Sequence, residues 1–145
     1  MPNLVLTLHT AQHTYAVIHR PEVELRFIVG AASLGTTDSR NRPLVSADLG
    51  TLLDEQDIST QGRRYAFIIP LRRRSVALLC DAVSEMHTVD DRELAPLPPL
   101  LDHRLPHRWV SGVYTPNETL VLVLDLYEIA LDLIRQTAQP HGETA

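Results

Sequence analysis

The chain has 145 residues, 44% of them hydrophobic and 21% charged, the proportions of a globular protein large enough to bury a core without metal or disulfide staples. A formal charge of −5 argues against a nucleic-acid footprint, and no run approaches the roughly 18 apolar residues of a membrane span. The lone cysteine, Cys80, cannot form an internal disulfide, and the start at Met1 lacks a basic, apolar leader, so a cytoplasmic setting is expected.

Leu4–Leu8, Tyr15–Ile18 with its flanks, and Glu22–Val29 alternate apolar and polar residues with a period of two, which predicts three half-buried strands. Gly30–Arg42 is rich in Gly, Ser, Thr, Asp and Asn and reads as a loop before a fourth strand at Pro43–Ala47. Asp48 is placed to cap a short helix over Leu49–Leu53, weakened by Gly50 and Thr51. A polar connector at Asp54–Gln61 leads to two apolar arms, Arg64–Ile69 and Ser75–Cys80, which predict a hairpin with Arg72, Arg73 and Arg74 at its solvated tip.

Asp81–Val89 continues in extended form. Ala95–Leu100 carries three prolines that remove backbone donors, so a stiff connector is expected there. Pro96 and Pro99 also have the spacing of a polyproline ligand, but a packed link between strands explains them better. Thr119–Leu124 is apolar on both faces and predicts a strand buried from both sides at the centre of the core. Asp125 and Glu128 resemble a capping box, and Leu126, Ile129, Ala130, Leu133 and Ile134 recur at helical spacing behind them. Residues 1–137 are therefore read as a single domain, with residues 138–145 as a frayed polar tail.

The two halves echo each other. Gly35 precedes Asp48-Leu49 by the same thirteen positions that separate Gly112 from Asp125-Leu126. Such a layout suits a scaffold that presents surfaces.

Signatures of chemistry are missing. The sequence contains no Gly-x-Ser-x-Gly elbow, phosphate loop or dinucleotide fingerprint, and all thirteen basic residues are arginine, which leaves no lysine for a Schiff base. His103 and His107 have the spacing of helical metal ligands, but Pro106 breaks the helix that would give the spacing meaning. Asp48, Asp81 and Asp125 each follow an apolar run; capping and turn-making are the commoner tasks of a carboxylate there, and a small hydrolase built on Asp81 or Asp125 with a histidine is the remote alternative.

Four motifs in order carry a resemblance: Cys80-Asp81-Ala82-Val83, the prolines from Pro96 to Pro99, Trp109-Val110-Ser111-Gly112-Val113, and Val123-Leu124-Asp125-Leu126. Together they resemble the chemotaxis coupling protein family, the CheW-like domains. The first half is similar through Gly35–Arg40 and Asp48-Leu49, with Asn41 where the family has a second glycine and Val45 where it has a proline. The resemblance implies an all-β fold with short helices, built as two SH3-like five-stranded barrels packed along a shared seam. It implies no catalysis and no cofactor or metal. It further implies an adaptor of a chemosensory system, coupling a methyl-accepting receptor's cytoplasmic tip to the regulatory domain of a histidine kinase, with no nucleic acid and no membrane insertion. By position, Arg40, Val110, Gly112 and Val113 are its candidates for partner binding or for shaping that surface, and Asp48, Asp81 and Asp125 are its structural residues. A diverged structural or oligomerising module that has lost receptor or kinase coupling is the alternative function.

Overall fold

The computed structural model describes residues 3–29, 34–59, 62–84, 86–96 and 106–138. Its strands are β1 (Asn3–His9), β2 (Thr14–Ile18), β3 (Glu24–Phe27), β4 (Leu44–Asp48), β5 (Tyr65–Pro70), β6 (Ser75–Cys80), β7 (Ala82–Val83), β8 (His87–Val89), β9 (Leu94–Ala95), β10 (Val110–Tyr114) and β11 (Val121–Leu124). Two helices, α1 (Leu49–Leu53) and α2 (Leu126–Ala138), follow β4 and β11 directly. The protein is thus mostly β, arranged as two sheets, as expected.

The strands divide seven and four. One sheet runs β7-β1-β2-β11-β10-β9, with β8 also on β1, and the other runs β3-β5-β6-β4. Among the described residues neither sheet closes into a barrel, and neither has the five strands expected of it. The seven-stranded sheet is made from both ends of the chain and the four-stranded sheet from its middle, so the division does not follow front and back halves. The echo between the halves has a narrower meaning: β4 pairs in parallel with β6 and β11 in parallel with β2, and each leads straight into a helix.

Three apolar clusters hold the sheets. β6 is buried along its whole length. Its Val76, Leu78 and Cys80 point into a seam shared with Leu6, Leu8, Val17, Phe67, Ile69, Trp109, Leu124 and Ile129. Its alternate residues, Ala77 and Leu79, pack with Ile28, Leu34, Leu44, Ala66 and Ile68 on the other face. β11 divides in the same way, sending Leu124 to the seam and Val121 and Val123 to a third cluster with Val5, Ala16, Val89 and Tyr114. The period of two drives this, and each fully buried Val or Leu contributes about 1.5–3 kcal/mol before entropy is subtracted.

The helices begin where the sequence places them. The Asp48 carboxylate accepts the Thr51 amide at 3.3 Å, and that of Asp125 accepts the Glu128 amide at 3.2 Å. Asp132, on the buried face of α2, accepts from Trp109 Nε1 at 2.6 Å and from Arg108 Nε at 3.1 Å. Burial works against its charge, but the Arg108 and Trp109 donors prevail and hold the carboxyl below its usual range. The helix continues three residues beyond Arg135, to Ala138. Ala138, expected as the first residue of the frayed tail, is the last of the helix; Pro99, His103 and the rest of that tail, 139–145, lie outside the described residues.

Candidate docking groove

Where the two sheets meet, the seam opens to solvent as a groove of about 250 Å³. Leu6, Val17 and Leu124 from the seven-stranded sheet and Phe67 from the other form its apolar floor, all of them buried. Ile18 and Leu25 stand on its walls at 40% exposure each, and Met86 at 43%. A β-bulge between Val110 and Gly112 lets Ser111 reach the lining, where it joins His19, Arg20 and Asp125 as the polar groups. The Arg20 guanidinium lies 5.3 Å from the centre of the Tyr127 ring. Burial and the hydrogen-bonded Glu22 carboxylate push the Tyr127 phenol above its ordinary value, against the opposing charge of Arg20.

An apolar trough with a polar rim suits the docking of an amphipathic helix. It offers little for chemistry. Among the described residues no group of three or more His, Cys, Asp or Glu side chains could hold a metal ion. Burial, then the nearby Asp81 carboxylate, pushes the Cys80 thiol up to about 12, far from a reactive thiolate.

The residues singled out from sequence fall in different places. Arg40 is exposed, in a loop whose shape is set by Asp38: one carboxylate oxygen accepts the Arg40 and Arg42 amides at 2.9 Å each, and the other accepts Ser75 Oγ at 2.8 Å and Arg42 Nε at 3.0 Å. Arg42 Nη1 then donates to the Leu71 carbonyl at 2.8 Å, tying this loop to the turn that carries Arg72, Arg73 and Arg74. Val110 and Val113 are buried at 6% and 3% exposure, so they act on any surface through the shape of β10. Gly112 is needed for close approach: a Cβ there would stand 2.4 Å from the Ala95 carbonyl oxygen. Gly35, its echo, serves a different purpose, a backbone φ of +81° in open space.

Asp48 and Asp81 converge on a residue that the sequence did not mark. Arg63, almost fully buried, places Nε 2.8 Å from Asp48 Oδ1 without the alignment of a hydrogen bond, and donates from Nη1 to Asp81 and from Nη2 to the Asp57 carbonyl. Burial opposes its charge, yet the Asp81 and Asp48 carboxylates raise its pKa further. Asp57 is wholly buried and also gathers the β1–β2 turn, accepting from Thr10 Oγ1, the Ala11 amide at 2.7 Å and the Gln12 amide at 3.2 Å. This knot joins the two sheets on the side of the connector. No spacing rule finds it, since Asp57 sits within a polar run and Arg63 beside the exposed Arg64.

Two apolar sheets around an open groove with a polar rim have the geometry of a docking module. The CheW-like domain profile matches residues 11–132, and the chain belongs to that family, whose members are non-catalytic scaffolds and adaptors. The probable chemotaxis protein CheW of Rhizobium etli is 27% identical over 96 residues, 66% of this chain and 61% of that relative; the chain spans about three-fifths of that relative's length. The scaffolding protein TtCheW from Thermoanaerobacter tengcongensis superposes with a TM-score of 0.63 at 18% identity, covering 87% of this chain and 86% of that one, a likeness of fold.

Proposed function

We propose that this chain is a cytoplasmic chemosensory adaptor that holds the helical tip of a methyl-accepting receptor in the groove between its sheets and carries the regulatory domain of a histidine kinase on its four-stranded sheet. The observation that carries the reading is the groove itself, apolar along its floor with half-exposed Ile18 and Leu25 on its walls. An amphipathic helix laid there, as a helical receptor tip would supply, would cover those walls. On the kinase side, Arg40 is exposed beside a turn of three arginines, in a chain that is otherwise acidic. Such a cluster suits carboxylates on the partner, which arginine holds bidentately. Gly112, in close approach to the Ala95 carbonyl and flanked in β10 by the buried Val110 and Val113, sets the shape of that strand next to the groove. No helix among the described residues is long and apolar enough to cross a membrane.

Calorimetric titration with a receptor-tip fragment and, separately, with a kinase regulatory domain from the same genome tests the proposal. Both bind saturably. Ile18→Glu lowers receptor-tip affinity by about tenfold and spares the kinase, and Arg40→Glu does the reverse. Absence of binding to either partner would overturn the reading.

A further inference from the structure

The outer edge of the four-stranded sheet has a free strand whose charges fit one partner, a second copy of itself. β3 pairs with β5 in the register Glu24↔Ile68 to Phe27↔Tyr65, and the same register continues to the Ile28 amide, which donates to the Arg64 carbonyl at 2.7 Å. In an antiparallel ladder, residues of that parity turn their N–H and C=O groups toward the partner strand. Glu24 and Arg26 therefore face β5, and Leu25 and Phe27 direct theirs away from the sheet. β3 is the last strand on that side, and neither Leu25 nor Phe27 has a backbone partner there among the described residues. Their side chains are 40% and 62% exposed.

Edge strands are normally guarded by charge, and Glu24 and Arg26 provide it. They do not guard every register equally. In an antiparallel pairing of two β3 strands about a two-fold axis, placing Leu25 opposite Phe27 sets Arg26 against Arg26. Placing Val23 opposite Leu25 sets Glu24 against Glu24. Only Leu25 opposite Leu25 sets each Glu24 against an Arg26, twice by symmetry, while the outward amides and carbonyls of Leu25 meet each other. Within one copy Arg26 Nε already lies 2.9 Å from Glu24 Oε2, so the paired strands would carry four alternating charges on one face and Leu25 and Phe27 on the other.

We propose that the protein self-associates through β3, joining two four-stranded sheets across a two-fold axis in the register Leu25↔Leu25. The closed, isologous arrangement stops at two copies. One short strand pair makes a weak dimer in concentration-dependent equilibrium with monomer. The proposal goes beyond the adaptor reading and stands without it.

Sedimentation equilibrium over a concentration series reads the result directly. The wild-type mass rises from 16.2 kDa toward twice that value. Arg26→Glu, or Glu24→Arg, sets like charges in opposition at both ends of the pairing and weakens dimerisation about tenfold. The double exchange Glu24→Arg with Arg26→Glu restores it, a recovery that a general loss of folding would not give. Circular dichroism checks that each variant keeps its sheet content. A mass fixed at 16.2 kDa throughout, or a dimer indifferent to the single reversals, would overturn the proposal.

Discussion

Arg63 and Asp57 meet twice: one guanidinium nitrogen donates to the Asp57 carbonyl, and another lies 3.5 Å from its carboxylate. Through this pair the connector, the β1–β2 turn, the cap of α1 and the exit of β6 are bound at one point. Removing the cation leaves a wholly buried carboxylate and two neighbouring ones without their counter-charge. Arg63→Leu therefore destabilises the fold by about 3–5 kcal/mol in urea denaturation. Arg63→Lys recovers only a part, since one ammonium cannot reach four acceptors in fixed directions.

Gly50 tests the same knot from the other side. In an ordinary helix, Gly→Ala stabilises by about 0.5–1 kcal/mol. Here a Cβ would stand 2.3 Å from Arg63 Nη2, and the guanidinium is pinned by its carboxylates and cannot swing away. The clash wins, and Gly50→Ala destabilises by about 1–3 kcal/mol. Thermal melts of Gly50→Ala in the wild-type and Arg63→Leu backgrounds separate the two effects: the penalty disappears once Arg63 is gone.

Gly112→Ala presses a methyl group against the main chain. Its Cβ would approach the Ala95 carbonyl oxygen to 2.4 Å, so β9 and β10 must part. A loss of about 1–3 kcal/mol is expected in denaturant titration, with faster amide exchange at Thr115, whose amide donates to the Glu93 carbonyl at 3.2 Å beside β9. Val113→Asp, at a site only 3% exposed, reads core packing rather than docking.

Asp38 gives the protein an acid-sensitive clasp. Burial alone would raise its pKa, but the Arg42 amide, the Ser75 hydroxyl, the Arg40 amide and the Arg42 guanidinium together bring it from 3.8 down to about 2. A carboxyl with a depressed folded-state pKa contributes stability above its unfolded value and loses it as pH falls through the folded one. The stability difference between wild type and Asp38→Asn is thus full above 3.8 and closes as the pH approaches about 2. Urea titrations across that window measure it.

Strand and helix positions were legible because they depend on local physics. The period of two marks β1 and, with its flanks, β2, unbroken apolar arms mark β5 and β6, and the caps at Asp48 and Asp125 start α1 and α2 where expected. The partition into sheets was not legible, since the parallel pairings β2·β11 and β4·β6 join segments that carry no mutual signal. The alternation predicts β3 over Glu22–Val29, and the strand spans Glu24–Phe27; it starts late because Val23 is taken up in a turn on the Arg20 carbonyl. Of the site, Arg40 lies on the surface, whereas Val110 and Val113 show that apolar residues in a matched motif report packing before recognition. Asp132 had a signal in its place three residues after Ile129 on the apolar stripe of α2, where a carboxylate requires partners.

The seven-stranded sheet draws on both ends of the chain, and Ala16 sits beside Val123 in its middle. Its assembly must therefore wait for nearly the whole polypeptide, while the contiguous β3–β6 segment has its strands together long before. Leu6 and Val17 from the first strands meet Leu124 from the last only at that final step. The trough that would grip a partner comes into being last, so an incompletely synthesised or clipped chain has nothing to hold on with.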